Sequence, residues 1–171
     1  HVDMIKPFTR TLEATAEGYS PSTGGKDVDL ATVILPMVAD STEFVKWLPN
    51  AKGKLVLISA AYPTCRPEEE WTAMATPASK ARMDTTIVKL VADWGTRIRN
   101  TGYPVSAGNP TGNLGLRLEK AGAAGVVVSN FANALAGAWS TFTVYDTMNK
   151  TTPAIAMSCE DYGMLYRLKK K

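Results

Sequence analysis

The chain has one histidine, and it is residue 1. A hydrolase triad or a catalytic zinc site usually needs a histidine held inside the fold, so both chemistries lack their usual base or ligand here. Cysteine is nearly as scarce. Cys65 and Cys159 are the only two in 171 residues, and they fit no C-x-x-C metal or redox spacing. Two buried thiols and a disulfide between them are both open readings; the second would imply an exported protein. Net charge is also small, at +3. Three of the lysines are gathered in Lys169-Lys170-Lys171, which leaves too little to argue for nucleic acid as a partner. No apolar run approaches the ~20 residues of a membrane span. The opening, HVDMIKPFTR, has no apolar h-region of a signal peptide.

What the sequence does hold is a core. Hydrophobic residues are 45% and charged residues 20%, the balance of a soluble globular protein. The length suits one domain over 1–171 with room for an insertion. The most informative stretch is 113–130, NLGLRLEKAGAAGVVVSN. Leu114, Leu118 and Ala121 share one helical face, Gly122 suits a C-cap, and Val126-Val127-Val128 is a β-branched run fit for a buried strand. Leu114, Leu116 and Leu118 also alternate with period two, so a strand competes with the helix at that point.

Other elements follow the same reasoning. Residues 9–19 suit an extended edge segment, 20–25 a loop, and Leu30–Met37 a strand that Pro36 confines to an end or an edge. Asp40 offers cap chemistry for a short turn through Phe44, Val45, Trp47 and Leu48. Leu55–Ile58 reads as a central strand. Residues 76–99 make the clearest helix, with Thr76 as cap and Pro77 at the first position. Its stripe, Met83, Ile87, Leu90, Val91, Trp94 and Ile98, predicts core packing rather than a membrane-binding face. A short strand is expected over 141–145. Pro153–Met157 reads as another strand, followed by a helix that Ser158 and Asp161 can cap, with Tyr162, Leu165 and Leu168 on one face.

Several local patterns suggest chemistry and then fail on geometry. Glu68-Glu69-Glu70 point in three directions on a helix, so they form a solvated first turn rather than a metal or acid–base cluster. Residues 102–113 lack the Lys-Ser/Thr of a phosphate loop. Gly122 and Gly125 precede a strand, where a dinucleotide fingerprint follows one. Asn149-Lys150-Thr151 matches a glycosylation acceptor, a pattern frequent by chance.

Taken in order, the GKLVLI strand, the cysteine loop, the AGAAGVVVSN corner and PAIAMSCEDYGMLYRL resemble the protease-associated (PA) domain. Lys52–Ile58, Lys120–Asn130 and Pro153–Leu168 carry the match, and GYSPSTGG looks most like PA domains inserted in M28-type zinc exopeptidases. Ala60-Ala61-Tyr62-Pro63-Thr64-Cys65 stands where the family often has Arg-Gly-x-Cys, and 66–112 is a longer connection, read as an insertion carrying the 76–99 helix. The resemblance implies an α+β, β-rich sandwich or open barrel with flanking helices and one longer inserted amphipathic helix. It implies a noncatalytic accessory domain that mediates protein or peptide contacts or restricts access to the active-site cleft. The parent would be a secreted or periplasmic M28-type metallo-aminopeptidase or carboxypeptidase. Zinc would lie in that parent's peptidase domain, with no cofactor in this chain. The partners would be the peptidase domain and a peptide or protein substrate.

An interaction surface would draw on aromatic anchors, namely Trp71, Tyr103 and Trp139, with Trp94 assigned to the core. Cys65 and Cys159 remain a possible disulfide. Two further functions compete. One is a stand-alone hydrolytic enzyme, for which Cys65 lacks a histidine partner. The other is a receptor-like module that binds peptide cargo through the same fold.

Overall fold

The computed structural model describes residues 2–102, 114–129 and 149–170. Their architecture is mixed α and β. The strands are β1 (Val2–Met4), β2 (Arg10–Leu12), β3 (Ala14–Ala16), β4 (Thr32–Ile34), β5 (Leu55–Leu57), β6 (Gly125–Val128) and β7 (Ala154–Met157). The helices are α1 (Ser41–Trp47), α2 (Glu68–Met74), α3 (Pro77–Asn100), α4 (Leu114–Lys120) and α5 (Cys159–Lys170). A 3-10 turn, Leu48–Ala51, extends α1.

Five strands form one sheet in the order β3-β7-β6-β5-β4. β4 through β7 are parallel, and β3 joins β7 antiparallel, with Thr15 opposite Ala156. β1 and β2 make a separate antiparallel hairpin. The mixture of strands and helices expected from the sequence is what the described residues show. The strands run three or four residues each, against 24 in α3 and 12 in α5. The physical reason is the parallel pairing, because each parallel neighbour needs a long crossover, usually helical.

Both faces of the sheet are covered, which is why its strands read as unbroken apolar runs. Val56, Ile58, Val126, Val128, Ala154 and Ala156 face a cluster with Phe44 of α1, Ile98 of α3, and Leu114 and Leu118 of α4. Leu55, Leu57, Val127 and Met157 face the other way, onto Tyr162 and Leu165 of α5 and onto Met4 and Leu12 of the hairpin.

The corner between α4 and β6 follows from its small residues. Gly122 has φ +83°, its N–H donates to Glu119 O at 2.8 Å, and the Ala123 N–H donates to Leu118 O at 2.9 Å. That pair of bonds is a Schellman cap, and it decides between helix and strand in favour of helix. A Cβ on Gly125 would come within 2.6 Å of Leu55 Cδ1, so a larger residue there would have to displace the end of the Leu55 side chain. Asp40 caps α1 by accepting the Glu43 N–H at 2.9 Å, and Glu43 accepts the Ala39 N–H at 2.7 Å. Ser158 caps α5 through the Asp161 N–H at 3.4 Å.

α3 departs from expectation. Thr76 caps it as the sequence suggests, accepting the Ser79 N–H at 3.3 Å. Only Ile98 of its apolar stripe is buried. Trp94 packs against the core, Met83, Ile87 and Leu90 are half-exposed, and Val91 is 49% exposed. Length explains this: 24 residues of helix span about 36 Å, while strands of three or four residues offer a sheet roughly 10–13 Å deep. The final turns use that depth. Trp94 Nε1 donates to Ile58 O at 3.3 Å and Asn100 Nδ2 to Val38 O at 2.7 Å. Arg97 donates to Leu35 O and stacks on the Trp94 ring at 4.5 Å.

Candidate functional site

In open sheets with parallel strands, ligands gather beyond the carboxyl ends of the strands, where the strand order reverses. Here β4, β5, β6 and β7 are laid side by side in chain order, so the parallel strands contain no such reversal. The carboxyl ends are instead closed by three serines. β5 runs into Ser59, β6 into Ser129 and β7 into Ser158.

The hydroxyls of Ser59 and Ser158 are committed to backbone groups, and Ser129 joins the set through its N–H. Ser59 Oγ accepts the Ser129 N–H at 3.0 Å, and Ser158 caps α5. The Tyr162 hydroxyl accepts the Ser59 N–H at 2.8 Å and donates to Ser59 O at 2.7 Å. Burial pushes the Tyr162 phenol far above its ordinary pKa, so it stays protonated and keeps donating. No nucleophile–base pair arises from this set. Sequence reading missed it, although LVLIS, VVVS and AIAMS repeat a strand-then-serine pattern.

The loop leaving Ser59 builds the open part of the site. Cys65 of that loop is bonded to Cys159, the first residue of α5, with the two Cα atoms 5.7 Å apart. Of the two readings the sequence left open, the structure has the disulfide. Two shallow hollows of about 340 and 470 Å³ adjoin it and share Thr64 and Arg66. The first is walled by Tyr62, Pro63, Cys65, Glu160 and Arg167. Trp71, Met74, Ser79 and Arg82 wall the second, together with Glu70. Burial also raises the Tyr62 phenol.

Among the aromatic anchors named from sequence, Trp71 lies in this wall. Among the described residues its indole N–H is buried with no hydrogen-bond partner. Met74 beside it is 81% exposed. Tyr103, Trp139 and the expected strand over 141–145 lie outside the described residues. Glu68, Glu69 and Glu70 are exposed in the first turn of α2, as the solvated-turn reading has it. Among the described residues, no group of three His, Cys, Asp or Glu side chains is arranged to hold a metal ion.

Two carboxylates away from the groove carry shifted pKa values. Glu119 Oε2 accepts three consecutive N–H groups, from Lys150, Thr151 and Thr152, at 2.8, 2.7 and 2.8 Å. Desolvation pulls its pKa upward, but these hydrogen bonds outweigh it and hold the carboxyl below its ordinary value. Asn149 beside them is buried, with its Nδ2 donating to Thr152 O at 3.0 Å. A sugar-bearing asparagine must stand at the surface, so this burial goes against the glycosylation match. Glu17, half-buried in the turn after β3, is raised by desolvation to about 7.

No family model matches the chain, and neither does any curated protein or solved structure.

Proposed function

We propose that this chain is a noncatalytic accessory domain of PA type, set in a secreted or periplasmic M28-type zinc exopeptidase. It contacts peptide or protein chains, or limits which of them reach the active site, while zinc stays in the parent's peptidase domain. One observation carries this reading. The Cys65 loop borders an open groove with Trp71 and the exposed Met74 in its wall, while the hydroxyls of Ser59, Ser158 and Tyr162 are hydrogen-bonded to backbone.

The three stretches that resemble the family fall on β5, on the α4–β6 corner, and on β7 with α5. They are consecutive neighbours in the sheet, which suits one structural unit better than scattered likeness. The finer PA description, a sandwich or open barrel with flanking helices, is part of this proposal. The disulfide suits an oxidising compartment. The groove also favours a second reading, a receptor-like module that binds peptide cargo without gating an enzyme.

The test has two arms. The purified chain is assayed with aminopeptidase and carboxypeptidase substrates in the presence of zinc, and its Trp fluorescence is titrated with extended peptides. No turnover is expected, together with saturable quenching that Trp71→Ala reduces. Turnover abolished by a chelator would overturn the noncatalytic reading. A change in substrate profile on deleting the segment from its parent separates gating from cargo binding.

A further inference from the structure

The Cys65–Cys159 bond joins two parts of the fold that are held very differently. Cys159 opens α5, and α5 has anchors of its own. The Ser158 N–H donates to Glu13 O at 3.0 Å. Asp161 accepts the Glu13 N–H at 2.7 Å and pairs with Arg10 at 2.9 Å, and Tyr162 and Leu165 are buried. The loop on the other side has little besides the bond. Thr64 Oγ1 accepts the Arg66 N–H at 3.2 Å, and Pro67 O accepts the Trp71 N–H at 3.0 Å. Among the described residues, 63–67 makes no hydrogen bond to the sheet or to α5. No residue of α2 is buried, and its ion pair with α3, Glu68 with Lys80, is a long one at 4.0 Å.

The two cysteines also differ in access. Cys65 is half-buried and walls the first hollow, whereas Cys159 is 5% exposed. An incoming thiolate therefore meets the Cys65 sulfur. Of the charged side chains in that wall, Arg66 and Arg167 favour its approach and Glu160 opposes it. Attack forms a sulfur–sulfur bond to Cys65, breaks the bond to Cys159 and leaves the electron pair on Cys159. That thiolate sits in the first turn of α5, at the positive end of the helix dipole, where a thiolate leaves readily. The second thiol of a dithiol then attacks the reductant's own bonded sulfur and releases Cys65. The reductant ends as a disulfide and the chain as two thiols, with two electrons and two protons passed to it.

We propose that Cys65 is a thiol–disulfide exchange site, and that a dithiol reductant acting there unclasps the segment 63–75 while the sheet and α5 keep their fold. Thr64 and Arg66 are the residues that both hollows share, so freeing them removes one wall from each at once. Oxidised, the chain keeps the hollows formed; reduced, it loses them. This inference goes beyond the accessory-domain reading and does not depend on what the hollows take.

Two measurements on the whole folded chain test it. In the first, the monothiol glutathione is added, free thiols are trapped with iodoacetamide, and peptide mass mapping locates the mixed disulfide. The adduct is expected on Cys65 with Cys159 alkylated, in at least ~10-fold excess over the reverse. In the second, hydrogen exchange at short labelling times is followed by mass spectrometry, before and after reduction with dithiothreitol in the absence of denaturant. Amides over 71–75 are expected to lose protection, while those of β5, β6, β7 and α5 keep it. The double variant Cys65→Ser, Cys159→Ser, which needs no reductant, should show the same pattern. Adducts mainly on Cys159, or a bond that yields only in denaturant, would overturn the proposal. So would unchanged protection over 71–75, or loss of protection throughout the chain.

Discussion

Glu17 and Glu119 show how one side-chain type takes opposite roles from its surroundings. Glu17 is desolvated without compensation, and its pKa rises from 4.5 to about 7. Between these values the unfolded chain releases the proton while the folded chain keeps it, so stability falls as pH rises through the window. Glu17→Gln should flatten that slope and gain on the order of 1 kcal/mol above pH 7, after allowance for solvent screening; urea titrations from pH 4 to 8 measure it. Glu119 behaves the other way. Its stabilisation is present above the ordinary carboxylate pKa and is lost as acid protonates the folded form. Glu119→Gln leaves the three N–H groups with a weaker acceptor and should cost about 1–2 kcal/mol at neutral pH, with the difference shrinking in acid. Neither role was readable from sequence, because each depends on what 150–152 or the β3 turn brings beside the carboxyl. The glycosylation match at Asn149 failed for the same reason: a three-residue pattern carries no information on burial.

At the scale of elements, the sequence was legible wherever local chemistry decides. Thr76, Asp40, Ser158 and Gly122 cap or stop the helices their spacing predicted. Val126–Val128, Leu55–Leu57 and Ala154–Met157 are strands because β-branched and apolar runs of that length suit a sheet covered on both faces. α3 was legible as a helix but not in its surroundings, since periodicity reveals an apolar face and not whether anything meets it. The boundary is measurable. Ile98→Ala should cost about 2–4 kcal/mol, as for a buried aliphatic side chain, and Ile87→Ala less than about 1 kcal/mol, both read by chemical denaturation. The groove was half legible. Trp71 was named as an anchor, but the loop that places Arg66 and Thr64 beside it is fixed by a bond to Cys159, 94 residues away.

For the molecule as a whole, that bond is the longest covalent constraint. Closing a loop of this length removes much of the unfolded chain's freedom, and replacing both cysteines by serine should cost about 3 kcal/mol. The loss appears as a lower midpoint in guanidinium under non-reducing conditions, and the wild-type chain should show it on reduction. Sequence favoured thiols over the disulfide because pairing is set by where β5 and β7 end. The same holds for the strand order, in which neighbours need not follow from adjacency along the chain.

Ala14 pairs with Met157. During synthesis the first three residues of that ladder leave the ribosome long before their partner exists. β4, β5 and β6 can line up as they emerge, while β3 waits. A nascent chain arrested just short of β7 would therefore leave its leading segment open to proteases, and adding one more strand would seal it.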